Sequence, residues 1–400
     1  MMAEMGSIRA DGGFGLYVHW PFCTAKCPYC DFNSHVSNAV DHAAWRAALV
    51  ADLQRQAVGH RDRRLGSIFF GGGTPSLMAP DTVAAIVAEA NRLWPDDPYR
   101  EVTLEANPTS VEAGRFAAFR DAGVNRVSIG IQSLRDPDLR ALGRTHSARE
   151  ARRAYDVARA CFDRVSFDLI YGRPHQDADA WRDELSDAVA MQPNHLSVYQ
   201  LTIEPGTVFA RRVAAGRLPG LPDAERGADL YDVTSDLLDG AGLPAYEVSN
   251  HARPGFECRH NLCYWRAGDW LGVGPGAHGR YGHRTARRST IATAAPDEWR
   301  HDVARGTTLR MERDADPMGH AEEYLISALR LAEGLDRTRL HDLGAVIPDA
   351  AVEALFDGGL AEPGAPHRVR PTRRGLAVAD AVAAYLAARS MPARESASHS

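Results

Sequence analysis

The stretch LYVHWPFCTAKCPYCDFNSH, residues 16–35, carries three of the chain's six cysteines within eight positions, at Cys23, Cys27 and Cys30. LYVHWP reads as a strand, and the cysteines follow it directly. Thiolates are soft ligands, and the spacing Cys23-x3-Cys27-x2-Cys30 lets one compact loop wrap a single metal centre. Three ligands are one short of four. Structural zinc would need a fourth from His19 or His35. A cubane iron-sulfur cluster on three cysteines instead leaves one iron open to a small chelating ligand with an amine and a carboxylate. Cys27-Pro28-Tyr29-Cys30 also reads as a dithiol redox pair, but that small fold leaves Cys23 unexplained. Cys161, Cys258 and Cys263 are dispersed, and a lone cysteine of this kind is ordinarily a small buried apolar side chain.

Working outward, the strand at 16–21 is the first of six apolar, β-rich runs. SIFFGGG follows at 67–73, VTLEANP at 102–108, RVSIGIQS at 126–133, RVSFDLIYG at 164–172 and HLSVYQLTI at 195–203. Amphipathic stretches such as AAWRAALVADLQRQAV lie between them, so the pattern predicts βαβ units and a parallel sheet. Six units suggest an α/β fold with a partial (β/α)6 barrel, although periodicity alone does not separate this from a doubly wound sheet. The alternation stops near 205. The expected organisation is a core over 1–205, an appended region over 206–308 that completes the pocket, a winged-helix-like module over 309–390 and a disordered tail over 391–400.

Composition narrows the class. Of 400 residues, 44% are apolar and 24% charged, the mixture of a globular protein. The first ten residues lack the apolar core of a secretory signal, and no run of 18 apolar residues appears, so a cytoplasmic protein without a membrane segment is expected. A formal net charge of -6 gives no general reason to expect nucleic-acid binding. Arg368, Arg370, Arg373 and Arg374 form a basic strip on the expected wing, the one feature that would favour DNA.

Several polar residues interrupt the apolar runs at or near strand ends, where parallel α/β enzymes place function: Glu105, Gln132 and Asp168. A carboxylate in a buried strand is costly unless paired or ligand-facing. GGGTPS at 71–76 follows its strand directly, and its glycines allow close backbone approach by a ligand. Arg144, in GRTH, suits a two-pronged contact with a carboxylate.

The three-cysteine loop, with Tyr29 just before the last cysteine, resembles the radical S-adenosylmethionine superfamily. That resemblance implies a [4Fe-4S] cluster on Cys23, Cys27 and Cys30, with S-adenosylmethionine on the open iron, and the cofactor carrying the hard chemistry. Tyr17, Tyr29, Gly72, Gly73, Thr74, Glu105, Gln132, Arg144 and Asp168 match cofactor-contacting positions of the coproporphyrinogen-oxidase-like group of that superfamily. The resemblance runs through AYEVSNHA and GVGPGAHG to the winged-helix tail.

Within that group two activities compete: oxygen-independent coproporphyrinogen III oxidase and the HemW-type haem chaperone. The oxidases carry a further cysteine two positions after the third ligand, where this chain has Asp31 and Phe32 after Cys30. They also have a longer N-terminal extension, whereas 22 residues precede Cys23 here. CPYCDFNSH and RHNLCYWRAGDWLGVGPGAHG resemble the chaperone versions, so haem is the expected cargo. His260 is the expected axial ligand, Tyr264 and Trp265 are expected to stack on the macrocycle, Cys258 and Cys263 are further candidates to ligate or attach haem although the CxxCH attachment motif is absent, and His278 in GAHG is instead expected to line the cofactor pocket. The resemblance further implies haem-accepting proteins, a low-potential electron donor, and compatibility with a membrane-associated acceptor or a dimer.

Overall fold

The computed structural model describes residues 12–37, 39–95, 97–282, 286–314, 318–364 and 366–393. The six apolar runs form β1 (Phe14–Trp20), β2 (Ser67–Gly72), β3 (Glu101–Ala106), β4 (Arg126–Gln132), β5 (Arg164–Tyr171) and β6 (His195–Gln200). They lie side by side in chain order, each parallel to the next. Covered on both faces, such strands need apolar residues throughout, which is why they stand out from the surrounding sequence.

The crossovers carry α1 (His42–Gln56), α2 (Pro80–Leu93), α3 (Phe116–Asp121), α4 (Ala148–Cys161) and α5 (Ala178–Ala190). Their starts are set locally. The side chain of Asp41 accepts from the Ala44 amide, that of Asp177 from the Ala180 amide, and Ser147 and Glu150 form a capping box. Leu16, Val18, Ile68, Phe70, Leu104, Ile129, Phe167 and Leu196 belong to one continuous core with the helices.

The region after 205 contributes more than a pocket wall. α6 (Ala224–Gly240) packs on α5, and β7 (Asn250–Ala252) pairs antiparallel with β6 at one edge. After α7 (Arg259–Trp265), the chain crosses to the opposite edge, where β8 (Asp269–Val273) pairs parallel with β1. β9 (His278–Tyr281), β10 (Arg288–Ala292) and β11 (Leu309–Asp314) then extend that edge antiparallel. The result is an eleven-stranded open sheet ending in β11 and β7, an incomplete barrel extended on both sides. α8 (Pro296–Arg305) seals the β8 side: Trp299 stacks on Trp45 of α1 at 5.4 Å between ring centres.

A second core gathers Leu325, Leu329, Leu340, Leu355, Val369 and Leu386. It belongs to a winged-helix-like arrangement of α9 (Gly319–Ala328), α10 (Arg337–Asp342), α11 (Asp349–Asp357) and α12 (Ala379–Ala387) with a small sheet. In that sheet β12 (Leu335–Asp336) pairs with β14 (Arg368–Pro371), which pairs in turn with β13 (Ala361–Gly364). Of the expected tail, Met391–Pro392 pair with Ala345–Val346, and 394–400 lie outside the described residues. On the wing, Arg368 faces Glu333 and Asp336 and Arg370 faces Glu362, whereas Arg373 lies past the wing, at the start of the short helix Arg373–Ala377, and reaches Asp236 at 2.6 Å. Acids thus offset much of that basic strip. No helix among the described residues is long and apolar enough to cross a membrane.

Trp299 is fully buried, so Trp299→Ala should lower unfolding free energy by about 3–5 kcal/mol in urea denaturation. A loss below about 1 kcal/mol would mean that α8 is not integral to the barrel core.

Candidate functional site: a thiol and carboxylate cavity at the strand ends

The cysteine loop is pinned against the ends of β1 and β2. Short strands Phe22–Cys23 and His35–Val36 pair with each other, the Cys30 amide turns back to the Cys27 carbonyl at 3.2 Å, and the Phe209 amide braces Pro28 at 2.9 Å. Gly73 sits directly beneath. A Cβ there would lie 2.8 Å from the Phe22 carbonyl oxygen and 3.0 Å from Cys23 Sγ, so only glycine fits.

This packing opens a cavity of about 330 Å³. Cys23, Cys27, Tyr29 and Cys30 line one side, and Gly72, Gly73 and Thr74 the next. Glu105, Gln132, Arg144 and Asp168 complete it from β3, β4, the following loop and β5. Thr74 Oγ1 donates to Cys23 Sγ and Arg144 Nη1 to Cys27 Sγ, both at 3.4 Å. Arg144 Nη2 also bonds Asn107 Oδ1 at 2.6 Å and the Gly130 carbonyl at 2.8 Å. Gln132 holds a φ of +72° where the β4–β5 register breaks, a strained backbone of the kind found around ligand sites.

Two features concern charge. Burial pushes the thiols of Cys23 and Cys30 up, so thiolates there call for a positively charged partner. Burial, and then the neighbouring Asp168, push Glu105 up to about 8. Asp168 itself is pushed up to about 6 by burial, opposed by hydrogen bonds from Ser197 and Ser128 and by the charges of Arg126 and Arg144. A buried chain carries that opposition: Arg126 Nη2 donates to Ser166 Oγ at 3.0 Å, Ser166 to Ser128 at 3.0 Å, and Ser128 to Asp168 Oδ1 at 3.3 Å. Glu105 accepts from the Gly72 amide at 3.3 Å and has no salt-bridge partner among the described residues. The cavity is therefore prepared for a ligand offering hydroxyls or positive charge.

Other expected residues lie elsewhere. Tyr17 is behind the cavity, its hydroxyl 3.0 Å from His19 Nδ1 and its ring stacked on Phe69. His19 is committed through both nitrogens, the second to the Asn33 carbonyl at 2.9 Å, while His35 meets Asn33 Oδ1 at 3.1 Å. Both histidines, the candidates for a fourth zinc ligand, are thus hydrogen-bonded to other protein groups. His278 is exposed on β9, away from the cavity lining. Cys258 and Cys263 are buried, Cys258 beside Glu101 and Cys263 against the Asp269 carbonyl.

The three residues expected to meet haem separate. His260, on α7, packs against β1 and β2, bonded through Nδ1 to Ser67 at 2.9 Å and through Nε2 to Tyr264 at 2.9 Å, so neither ring nitrogen faces open space. Burial lowers its pKa to about 3, the state of a neutral core histidine. Haem ligation by His260 would require breaking one of those bonds. Tyr264 and Trp265 instead line a second cavity of about 710 Å³, between the sheet edge and the C-terminal module. Tyr199, Gln200 and Thr202 line both cavities, so the two adjoin. These residues and Asn107 were missed in the sequence, although each follows the strand-end rule that found Glu105 and Asp168.

Fold and site together define a radical S-adenosylmethionine protein, and the model of the radical SAM superfamily matches residues 17–188. The chain is 38% identical over 381 residues to heme chaperone HemW of Mycobacterium tuberculosis, covering 92% of this chain and 93% of that protein. It is 45% identical over 343 residues to the mitochondrial radical S-adenosyl methionine domain-containing protein 1 of Bos taurus, covering 82% and 75%. Coproporphyrinogen III oxidase (HemN) from Escherichia coli shares the fold with a TM-score of 0.75 at 20% identity, over 94% of this chain and 91% of that one. The chain belongs to the radical SAM superfamily, in the family of these two sequence relatives. Its cofactors are accordingly a [4Fe-4S] cluster and S-adenosylmethionine. Three thiols at one cavity, two of them receiving hydrogen bonds, fit such a cluster.

The raised Glu105 carboxyl fixes a sign. The unfolded chain releases this proton near 4.5 and the folded one near 8, so its contribution to stability declines as pH rises through that window. Glu105→Gln should flatten the fall in melting temperature of the cofactor-free protein between about pH 5 and about pH 8, while weakening S-adenosylmethionine binding. Parallel melting curves for variant and parent would contradict the buried-acid account.

Proposed function

We propose that the chain is a haem chaperone, using its cluster and S-adenosylmethionine site beside a haem site and passing haem to acceptor proteins. The single observation that carries this reading is the adjacency of the two cavities in a chain related to heme chaperones over most of its length.

In this reading Cys23, Cys27 and Cys30 hold the cluster. Gly72, Gly73 and Thr74 offer backbone to the methionine amine, and Arg144 meets its carboxylate. Glu105, Gln132 and Asp168 surround the ribose and amino group, with Tyr29 on the wall beside the cysteines and Tyr17 behind. When bound, the cluster supplies an electron to the sulfonium. The chain's own residues would orient the sulfonium and offset part of the cost of ionising Asp168 through the Arg126–Ser166–Ser128 chain. Haem would lie against Tyr264 and Trp265, with His260 orienting Tyr264 through their hydrogen bond. A low-potential electron donor, haem-accepting proteins and a cytoplasmic location belong to the same proposal; a membrane-associated acceptor and a dimer are compatible with it.

Two measurements test it. Cys27→Ala should abolish the cluster's visible absorption while leaving the far-ultraviolet circular dichroism unchanged; a retained cluster would refute the three-cysteine assignment. Anaerobically reconstituted protein with S-adenosylmethionine and reductant should bind haem and release it to an apo-acceptor without decarboxylating coproporphyrinogen III. Turnover to protoporphyrinogen IX would make the chain an oxidase despite Asp31 and Phe32 after Cys30.

A further inference from the structure

We propose that Arg330, at the lip of the second cavity, binds a carboxylate arm of the tetrapyrrole and makes the C-terminal module part of the cargo site. The inference rests on the haem reading and adds a residue and a ligand group to it.

Arg330 lies just beyond α9, where the module meets the sheet. The Val248 amide donates to its carbonyl at 3.1 Å, Leu331 bridges to Glu247, and the Ala332 amide donates to the Tyr246 carbonyl at 2.9 Å. The backbone is thus clamped, while the side chain is under-used. Its guanidinium lies 4.9 Å over the Trp265 ring, a contact that consumes no N–H. Nε is buried with no hydrogen-bond partner. The ion pair is to Asp380 at 2.9 Å, whose side chain is 88% exposed while that of Arg330 is 24% exposed. An ion pair that wet is weak and readily exchanged.

The surroundings suit an amphiphilic, planar acid. Tyr264, Trp265, Val248 and Leu376 give the cavity apolar and aromatic wall, and Arg330 stands where that wall meets solvent. A planar macrocycle would bury its faces and leave its acid arms at such a lip. A carboxylate there can meet the guanidinium end-on through its Nη groups in place of Asp380, the fork geometry that distinguishes arginine from lysine. Glu247, the acid within the cavity, is pushed up by burial, opposed by the Asn250 side chain and by the charge of Arg330 itself, so Glu247 and Asp380 are the internal acids with which a ligand carboxylate competes.

The test compares two ligands on the full-length, cluster-loaded protein: haem and haem dimethyl ester, which lacks free carboxylates, titrated in the same detergent buffer. The parent should bind haem about tenfold more tightly than the ester. Arg330→Gln should lose that preference, lowering haem affinity while leaving ester affinity unchanged, and Arg330→Lys should restore only part of it. Asp380→Asn, at an exposed position, should strengthen haem binding by removing one internal competitor. Equal losses for haem and ester in Arg330→Gln, or a weaker Asp380→Asn, would overturn the carboxylate contact. Equal binding of both ligands by the parent would remove this contact and leave the haem reading standing; no binding of either would sink both.

Discussion

Everything at the mouth of the sheet depends on one close approach: the backbone at Gly73, lying against Phe22 and Cys23 with no room for a side chain. Because β1 and β2 are parallel neighbours, their C-terminal ends arrive together, and the loop leaving one must cross the turn leaving the other. A methyl group at Gly73 would push the first cysteine outward. With glycine there, Thr74 comes within reach of Cys23 Sγ, Asn107 reaches Thr74 at 3.2 Å, and Arg144 ties Asn107 to Cys27. Loop, β2, β3 and the segment after β4 are therefore held by one continuous set of contacts, and the thiols inherit the rigidity of the sheet.

The same rigidity makes the cavity electrostatically expensive when nothing is bound. Glu105 and Asp168 share a buried space, and the charge of Asp168 adds to burial in raising the cost of ionising Glu105. The cation that moderates Asp168 from below, Arg126, is reached through two serine hydroxyls, so it tunes that acid without entering the pocket. An arginine placed directly between the acids would stabilise the empty protein and neutralise the groups a ligand needs. Stability has been given up where binding requires it.

The six strands were legible because burial on both faces leaves no polar alternation to confuse them, and their ends marked Glu105, Gln132 and Asp168 for the same reason. The placement of 206–308 was not legible. β7 and β8 join opposite edges of the sheet although only 16 residues separate their facing ends, and nothing local in β-rich pieces that short specifies which edge they meet. The HNLCYW segment shows a subtler limit. It lies in a seven-residue helix, too short for periodicity to reveal its inward face. His260 and Tyr264, four apart, share a contact as helical geometry requires, yet His260 packs against the sheet while Tyr264 and Trp265 reach the second cavity. Likewise the arginines of the expected wing look like a basic strip in one dimension, because the acids that meet them come from as far away as Asp232 and Asp236 on α6.

The two cavities differ in how they are built, and the difference suits what each would hold. The cofactor cavity is enclosed by strands and loops of one core, so its residues cannot separate without disturbing that core. The second cavity lies on a seam: its walls come from the sheet edge on one side and from Arg330 and Leu376–Ala381 on the other, and the module has a core of its own. Along this seam the Val248–Arg330, Glu247–Leu331 and Tyr246–Ala332 contacts form a short ladder. A cofactor that stays benefits from the first construction. A cargo that must leave intact benefits from the second, because release asks a few surface contacts to part while both cores stay folded.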